Sequence, residues 1–494
     1  MGVISTIFSE TGLLALIYAS SDVHLLCFQK FVRMFAYGQV TIILALFFSA
    51  LGIRDDKIGL LMTCTLLGDV VISFILTLVA DKVGRRRVLG IGAILMAISG
   101  LIYSYSTNYW LLLGAAIIGV ISPSGNEIGP FNAIEESIVA HLSDLSDRAQ
   151  IYAWYTLLGS FGAALGTISS GYIIQFLQST YNWTDITAYR LIFVLYSIIG
   201  VVKFACTLML SPMTELEVAP EMQSTQLQNS ANSEGAGSTS RSGDQTSGEA
   251  YAMQNMGKAG EDRDSMEQDD ATDRRELLDE MNTWSSAKKR PKWLAWLNYM
   301  PHYSARTVRT VGLLILLFAL DSFASGVATQ TWVAYYFANR FEVTEATLGT
   351  LFFFTNMISA VSSLVAASIS KRLGPIVTMV ATHLPSSIVL SIIGFPSNVK
   401  VAMALLIIRF CTASMDKVPR QTFLSSIVTK EERTSVMGIV NVAKTLAQSG
   451  GPSVMGAFAL KGIMKFGFLL AGLCKIVYDL SLLVTFLGVQ LYNN

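Results

Sequence analysis

Apolar residues run along this chain in long blocks, each about the length needed to cross a bilayer, with short polar breaks between them. A spanning helix needs roughly 20 mostly apolar residues, because in hydrocarbon every backbone polar group has to be bonded within its own segment. The pattern predicts helices near 29–51, 57–80, 88–107, 109–131, 150–177 and 188–211, then near 309–338, 344–370, 374–394, 399–423, 433–459 and 464–490. Residues 11–19 are apolar but too short to cross, so 1–28 reads as an interfacial or packed N-terminal segment on the cytosolic side. No early basic region or cleavage motif marks residues 1–30 as a signal peptide, which leaves the first span as the insertion signal.

Composition agrees with a membrane solvent. The 494 residues are 52% hydrophobic and only 14% charged, against about 25% charged in a typical soluble chain. The formal charge is zero, so no basic excess exists to hold nucleic acid. Cys27, Cys64, Cys206, Cys411 and Cys474 form no CxxC pair, and the four histidines show no HExxH spacing. Neither a disulfide framework, a metal site nor any cofactor is expected. A hydrolase is disfavoured as well, since no convergent Ser/His/Asp set is visible.

The two groups of six predicted spans, 29–211 and 309–490, flank a polar stretch at 212–308, and 491–494 form a short cytosolic tail. Residues 212–282 are rich in Gln, Ser, Gly, Asn, Asp and Glu, a composition expected to stay disordered. Nearer the seventh span, Trp284, Lys288, Lys289, Arg290, Lys292, Trp293, Trp296 and Tyr299 predict an interfacial basic and aromatic helix over 284–300. The basic residues before span seven and in the loop at 81–87 place both termini and the linker in the cytosol. The Asn182-Trp183-Thr184 sequon then lies outside or in a lumen, and Asn182 is a glycosylation candidate. Plasma membrane and an internal membrane such as the vacuole are both compatible with this pattern.

Aligning the halves shows that their rare polar residues share spacing as well as hydropathy. Arg33 to Gly38 matches Asp321 to Gly326, and Gly59 and Gly84 are separated like Gly349 and Gly374. Pro130 pairs with Pro419, Ser137-Ile138-Val139 with Ser426-Ile427-Val428, and Gly200-x-x-Lys203 with Gly472-x-x-Lys475. The expected fold is therefore all-α, with twelve transmembrane helices in two pseudo-symmetric six-helix bundles related by an axis along the membrane normal. Between spans two and three, Ala80-Asp81-Lys82-Val83-Gly84-Arg85-Arg86-Arg87 resembles the cytoplasmic D-x-x-G-R-R/K signature of the major facilitator superfamily. Outside the linker the resemblance covers essentially the whole chain. It implies a monomeric transporter whose halves rock around a midplane site, with Asp81, Gly84, Arg85, Arg86 and Arg87 holding the cytosolic ends of spans two and three. The second-half copy, Ser370-Lys371-Arg372-Leu373-Gly374, lacks the aspartate.

Ionisable residues inside the spans are the candidate site, because burying one costs at least ~2.5–3.5 kcal/mol unless it faces a partner or a pathway. Arg33, Glu127, Asp321 and Asp416 lie roughly 25 Å from the outer ends of spans one, four, seven and ten by the rise of ~1.5 Å per residue. The resemblance makes those four helices the lining of a central cavity. The four residues either form a gate that pairs charges across the halves or contact solute and proton directly. Asp69, nearer the middle of span two with no opposite charge close in sequence, is the first choice for loading a proton. Arg409 and Lys444 either neutralise Glu127 or Asp416 or bind an anionic solute. Lys203 and Lys475 read as structural, the latter pairing with Asp479 one turn on. The run from Ser122 to Asn132, with two prolines and two glycines, should break span four and bring Asn126 and Glu127 to the solute path.

No phosphate-binding G-x-x-x-x-G-K-[ST] loop is present to use ATP. The expected activity is ion-gradient-driven, proton-coupled transport of a small organic solute, as either uptake or efflux. The alternative is a sensor that kept the fold, lost transport and signals through its central loop.

Overall fold

The computed structural model describes residues 13–119, 121, 123, 130–144, 147–215, 305–427 and 433–492. Within them a short helix α1 (Leu13–Ile17) precedes seven helices of the first half. These are α2 (Ser21–Ala50), α3 (Asp55–Val83), α4 (Arg85–Tyr105), α5 (Tyr109–Ile118), α6 (Pro130–Leu142), α7 (Arg148–Tyr181) and α8 (Asp185–Met209). The second half holds α9 (Ala305–Val327), α10 (Gln330–Phe341), α11 (Glu345–Leu373), α12 (Pro375–Ile392), α13 (Val399–Thr412), α14 (Lys417–Ile427), α15 (Arg433–Leu460) and α16 (Met464–Tyr492). Among the described residues, nine helical stretches are long and apolar enough to cross a bilayer. The interfacial helix expected at 284–300 lies outside the described residues, as do Asn126 and Glu127.

Two features depart from the sequence expectation. Span one starts at Ser21, eight residues before position 29, because Ser20 caps it by accepting the backbone N–H of Val23 at 3.4 Å. Asp22 and Lys30 had diluted the hydropathy of those first turns. Span four was expected to end near 131, yet α6 continues to Leu142. Its Glu135 and Glu136 read as loop residues in sequence, but Glu135 is fully buried.

The duplication is visible in local detail. The tight turn between α3 and α4 sits on Gly84 with φ +101°, and the equivalent turn between α11 and α12 sits on Gly374 with φ +81°. Only glycine takes such angles without strain. Asn108 opens α5 by accepting the N–H of Trp110 at 2.9 Å, and Asn398 opens α13 by accepting that of Lys400 at 2.8 Å. Packing repeats too: α2 lies on α7 as α9 lies on α15, and α4 on α8 as α12 on α16.

The two halves meet at the end of the bundle away from the Gly84 turn. There Tyr335 donates to Asp55 at 2.6 Å, Tyr189 to Glu345 at 2.7 Å, and the Thr63 and Ser453 hydroxyls lie 2.7 Å apart. Thr331 donates to the carbonyls of Thr41 at 3.0 Å and Pro123 at 2.5 Å. Backbones touch where α7 crosses α11 and α3 crosses α15: a Cβ on Gly349 would sit 2.6 Å from the Thr167 carbonyl oxygen, and one on Gly59 2.6 Å from that of Pro452. Small residues at such crossings let van der Waals packing hold helices together in lipid.

Gly349→Leu is expected to leave each half folded but to unseal this end. Overpacking costs about 1–3 kcal/mol, roughly ten- to hundredfold in the ratio of sealed to open protein. An introduced cysteine at Ser49 should then react correspondingly faster with a membrane-impermeant maleimide; an unchanged rate would show that the crossing does not control closure.

Candidate functional site

Three buried side chains tie the first half together. Arg33 on α2 donates to Glu135 Oε2 at 2.7 Å, and Lys203 on α8 donates to Glu135 Oε1 at 2.6 Å. All three side chains are fully buried. Tyr155 on α7 adds a third donor to the same carboxylate at 2.6 Å. Phe131, one turn before Glu135, lies under both cations, 5.4 Å from the guanidinium and 4.4 Å from the ammonium.

The second half carries a related cluster with the signs redistributed. Asp321 on α9, aligned with Arg33, accepts from Lys475 at 2.5 Å and from Arg420 at 2.9 Å. Arg420 also bonds Asp416. His383 on α12 lies between two carboxylates, with Nδ1 2.8 Å from Asp479 and Nε2 3.7 Å from Asp321. The rings of Phe318 and Tyr478 flank the Arg420 guanidinium at 5.3 and 5.4 Å. Lys203 and Lys475 therefore hold the same place in the two halves. The carboxylate comes from α6 in the first half and from α9 in the second.

Arg33 and Asp321 are thus neutralised each within its own half, and the structure pairs neither with the other. Lys475 bonds Asp321 instead of Asp479, and Lys203 lies inside the first half, where a snorkelling position had been expected. Glu135, Arg420, His383 and Asp479 are absent from the sequence-derived candidates. Glu135 and Arg420 were nevertheless findable, since each sits within two helical turns of an aligned proline, Pro130 and Pro419.

Asp69 stands apart from both clusters. It is buried on α3, its Oδ1 accepts from Ser73 at 3.4 Å, and its Oδ2 has no hydrogen-bond partner. Tyr37 on α2 is within electrostatic reach of Asp69, Arg33 and Glu135.

Between the halves, on the Gly84 side of the sealed end, lies a cavity of about 300 Å³. The first half contributes Lys30, Glu136, Thr156 and Ser160 to its wall, and the second Asn356, Ser359, Ser414 and Lys417. Lys30 donates to Asn132 at 2.9 Å, and Asn132 donates to Glu136 at 2.8 Å. Span ten breaks here: α13 ends at Thr412, α14 starts at Lys417, and Asp416 lies in the intervening turn.

At the Gly84 turn, the Glu215 carboxylate accepts the backbone N–H of Arg85 at 2.6 Å and of Arg86 at 3.2 Å. It thereby caps the positive end of α4. Arg86 donates to the Leu208 carbonyl at 3.2 Å and Arg87 to that of Val83 at 3.4 Å.

A family model described as the Major Facilitator Superfamily matches residues 26–479. The chain belongs to that superfamily. Membership makes this facilitator an integral membrane protein that transports a small-molecule solute, and not an enzyme. It is 36% identical over 474 residues to Uncharacterized membrane protein YJR124C of Saccharomyces cerevisiae, covering 96% of this chain and 95% of the yeast one. Among solved structures it resembles a D-xylose-proton symporter at 14% identity, with a TM-score of 0.62 over 93% of this chain and 96% of that one. It also resembles the nucleoside transporter NupG at 12% identity, with a TM-score of 0.61 over 94% of this chain and 99% of that one. At such identities the likeness is one of fold.

Removing one partner of a buried ion pair typically costs about 3–5 kcal/mol, because it strands the other charge. Glu135→Gln strands both Arg33 and Lys203, so the purified facilitator should lose stability on that scale in a detergent melting experiment. Adding Arg33→Met and Lys203→Met to it should restore most of the loss. If the single and triple variants melt alike, the cluster does not hold the half together.

Proposed function

We propose that this facilitator is a secondary active transporter that carries a small organic solute by alternating access and draws on a proton gradient. The observation that carries the reading is the one-sided closure of the bundle. Hydrogen bonds and backbone crossings join the halves at one end, while a polar cavity separates them on the other side. Among the described residues, the buried charge cluster of each half is paired within that half. Two rigid bodies of this kind can rock about the cavity without breaking an ion pair, which is the movement alternating access requires.

Proton loading falls to Asp69 on grounds of charge. Protonating Glu135 would strand two cations, and protonating Asp321 would strand Lys475 and Arg420. Asp69 has no salt-bridge partner among the described residues, so taking up a proton strands no cation, and releasing it leaves a buried carboxylate without a counter-charge. It lies on α3, one of the helices that crosses to the other half. Its charge state can therefore bias the rocking equilibrium.

The Gly84 end is assigned to the cytosol by its basic residues, which makes the state described here open to the cytosol. Asn182 ends α7 at the opposite face in a left-handed conformation with φ 52°, and it is exposed. An Asn182→Cys variant in intact cells should react with an impermeant maleimide, whereas Arg86→Cys should react only after permeabilisation. The reverse pattern would invert the topology.

In proteoliposomes, Asp69→Asn should abolish accumulation driven by a pH gradient while leaving solute exchange within about twofold of the parent, since the neutral amide keeps the packing and removes only the ionised state. Undiminished gradient-driven accumulation would remove Asp69 from the coupling mechanism.

A further inference from the structure

The buried acids of the second half are already satisfied, yet cations remain. Arg420 and Lys475 together neutralise Asp321 and Asp416, and Asp479 is held by His383 and by Ser387, which donates to it at 3.0 Å. Three further cations belong to the same region. Lys417 lines the cavity and lies within electrostatic reach of Asp416 and Arg420. Lys444 on α15 is within reach of Lys417, Arg420, Asp321 and Asp416, and Arg409 on α13 is within reach of Asp321. Among the described residues, none of the three has a carboxylate at salt-bridge distance. The Nε of Arg409 is buried without an acceptor among the described residues.

The sequence left two roles for Arg409 and Lys444: to neutralise Asp416 or Glu127, or to meet an anion. Asp416 is taken by Arg420. The first-half wall does not supply the missing charge either, because Lys30 and Glu136 stand within reach of each other and are linked through Asn132. Among the described wall residues, the cation without a carboxylate partner is therefore Lys417, on the second-half side of the cavity. Around it the wall offers Ser359, Ser414 and Asn356, groups that hydrogen-bond a polar solute. The space, about 300 Å³, is larger than one inorganic ion requires and suits a small organic molecule.

We infer that the solute is a small polar organic anion, a carboxylate or a phosphate ester, whose negative group seats against Lys417 while its hydroxyl or amide groups face Ser359 and Asn356. The inference rests on the transporter reading, since it identifies the cavity between the halves as the solute site. Lys444 and Arg409 act from farther away, raising the positive potential without a direct contact.

The test uses purified full-length protein and thermal stabilisation at constant ionic strength. The probes are succinate, citrate and glycerol phosphate, with dimethyl succinate and glycerol as neutral controls and choline as a cationic one. At least one anion is expected to raise the melting temperature in a saturable way, and the controls are not. A charge-assisted hydrogen bond is strong enough that losing one weakens binding about tenfold or more. Lys417→Gln should shift the half-saturating concentration by that factor and Lys444→Gln by a smaller one in the same direction, and Lys417→Arg should retain most of the effect. Each variant is first melted without probe, and only variants that melt like the parent are compared. Stabilisation by choline or by the neutral controls alone, or unchanged anion titrations in both glutamine variants, overturns the inference.

A second measurement separates this from failure of the transporter reading. In proteoliposomes Ser160→Cys on the cavity wall should be labelled from the Gly84 side in one state and protected in the other. If labelling alternates but anions do not stabilise, the anion assignment alone is wrong. If labelling never alternates, the transporter reading fails.

Discussion

Pairing of buried charge inside each half is the constraint on which the rest of the structure depends. A cation in hydrocarbon without a partner is costly, and a buried pair broken at one side is costlier still. Among the described residues, Glu135 bonds both Arg33 and Lys203 within the first half, and Asp321 with Asp416 bonds Arg420 and Lys475 within the second. The interface between the halves is consequently free of buried salt bridges among the described residues. It is held by hydroxyls, carbonyls and glycine crossings, all weaker and easier to exchange. Rigid halves and a soft seam follow from one distribution of charge.

The duplicated halves pair their buried charges by different routes. At the aligned position on spans one and seven stand Arg33 and Asp321, opposite in sign, while Lys203 and Lys475 are the same residue at the same place. Spans four and ten compensate: Glu135 comes from α6, and Arg420 from α14. Arg420 occupies the position aligned with Phe131, one below Pro130, so a ring that underlies two cations in the first half gives way to a cation sandwiched by Phe318 and Tyr478 in the second. What the repeat conserves is the meeting of three helices on a shared cluster of charge.

Much of this was legible from residue order alone, and the limits have a physical cause. Hydropathy located the spans because lipid imposes a strong length requirement, and the glycines at 84 and 374 marked the turns because their φ angles exclude side chains. The start of α2 and the end of α6 were missed for one reason: Asp22, Lys30, Glu135 and Glu136 lower local hydropathy whether they face water or one another. Hydropathy scores each residue alone, and a buried ion cluster is a property of several. Arg33, Asp321 and Asp416 were recognised as out of place in lipid, but their partners lie about one hundred residues or more away in three of four cases, beyond the reach of any local pattern. Arg420, one turn from Asp416, is the exception and was within reach.

The same reasoning explains why charge at the cavity differs in kind from charge inside the halves. Interior clusters have to be balanced permanently, since no solute reaches them. A wall that opens to water on one side of the cycle can hold a surplus, because water screens it while the cavity is open. Once the halves close over the cavity, that screening is withdrawn, and something else has to offset Lys417. A transporter that closes readily only when the compensating charge has arrived couples occupancy to movement through electrostatics alone. The surplus on one wall is then the element that lets a soft seam between two balanced bodies respond to what lies between them.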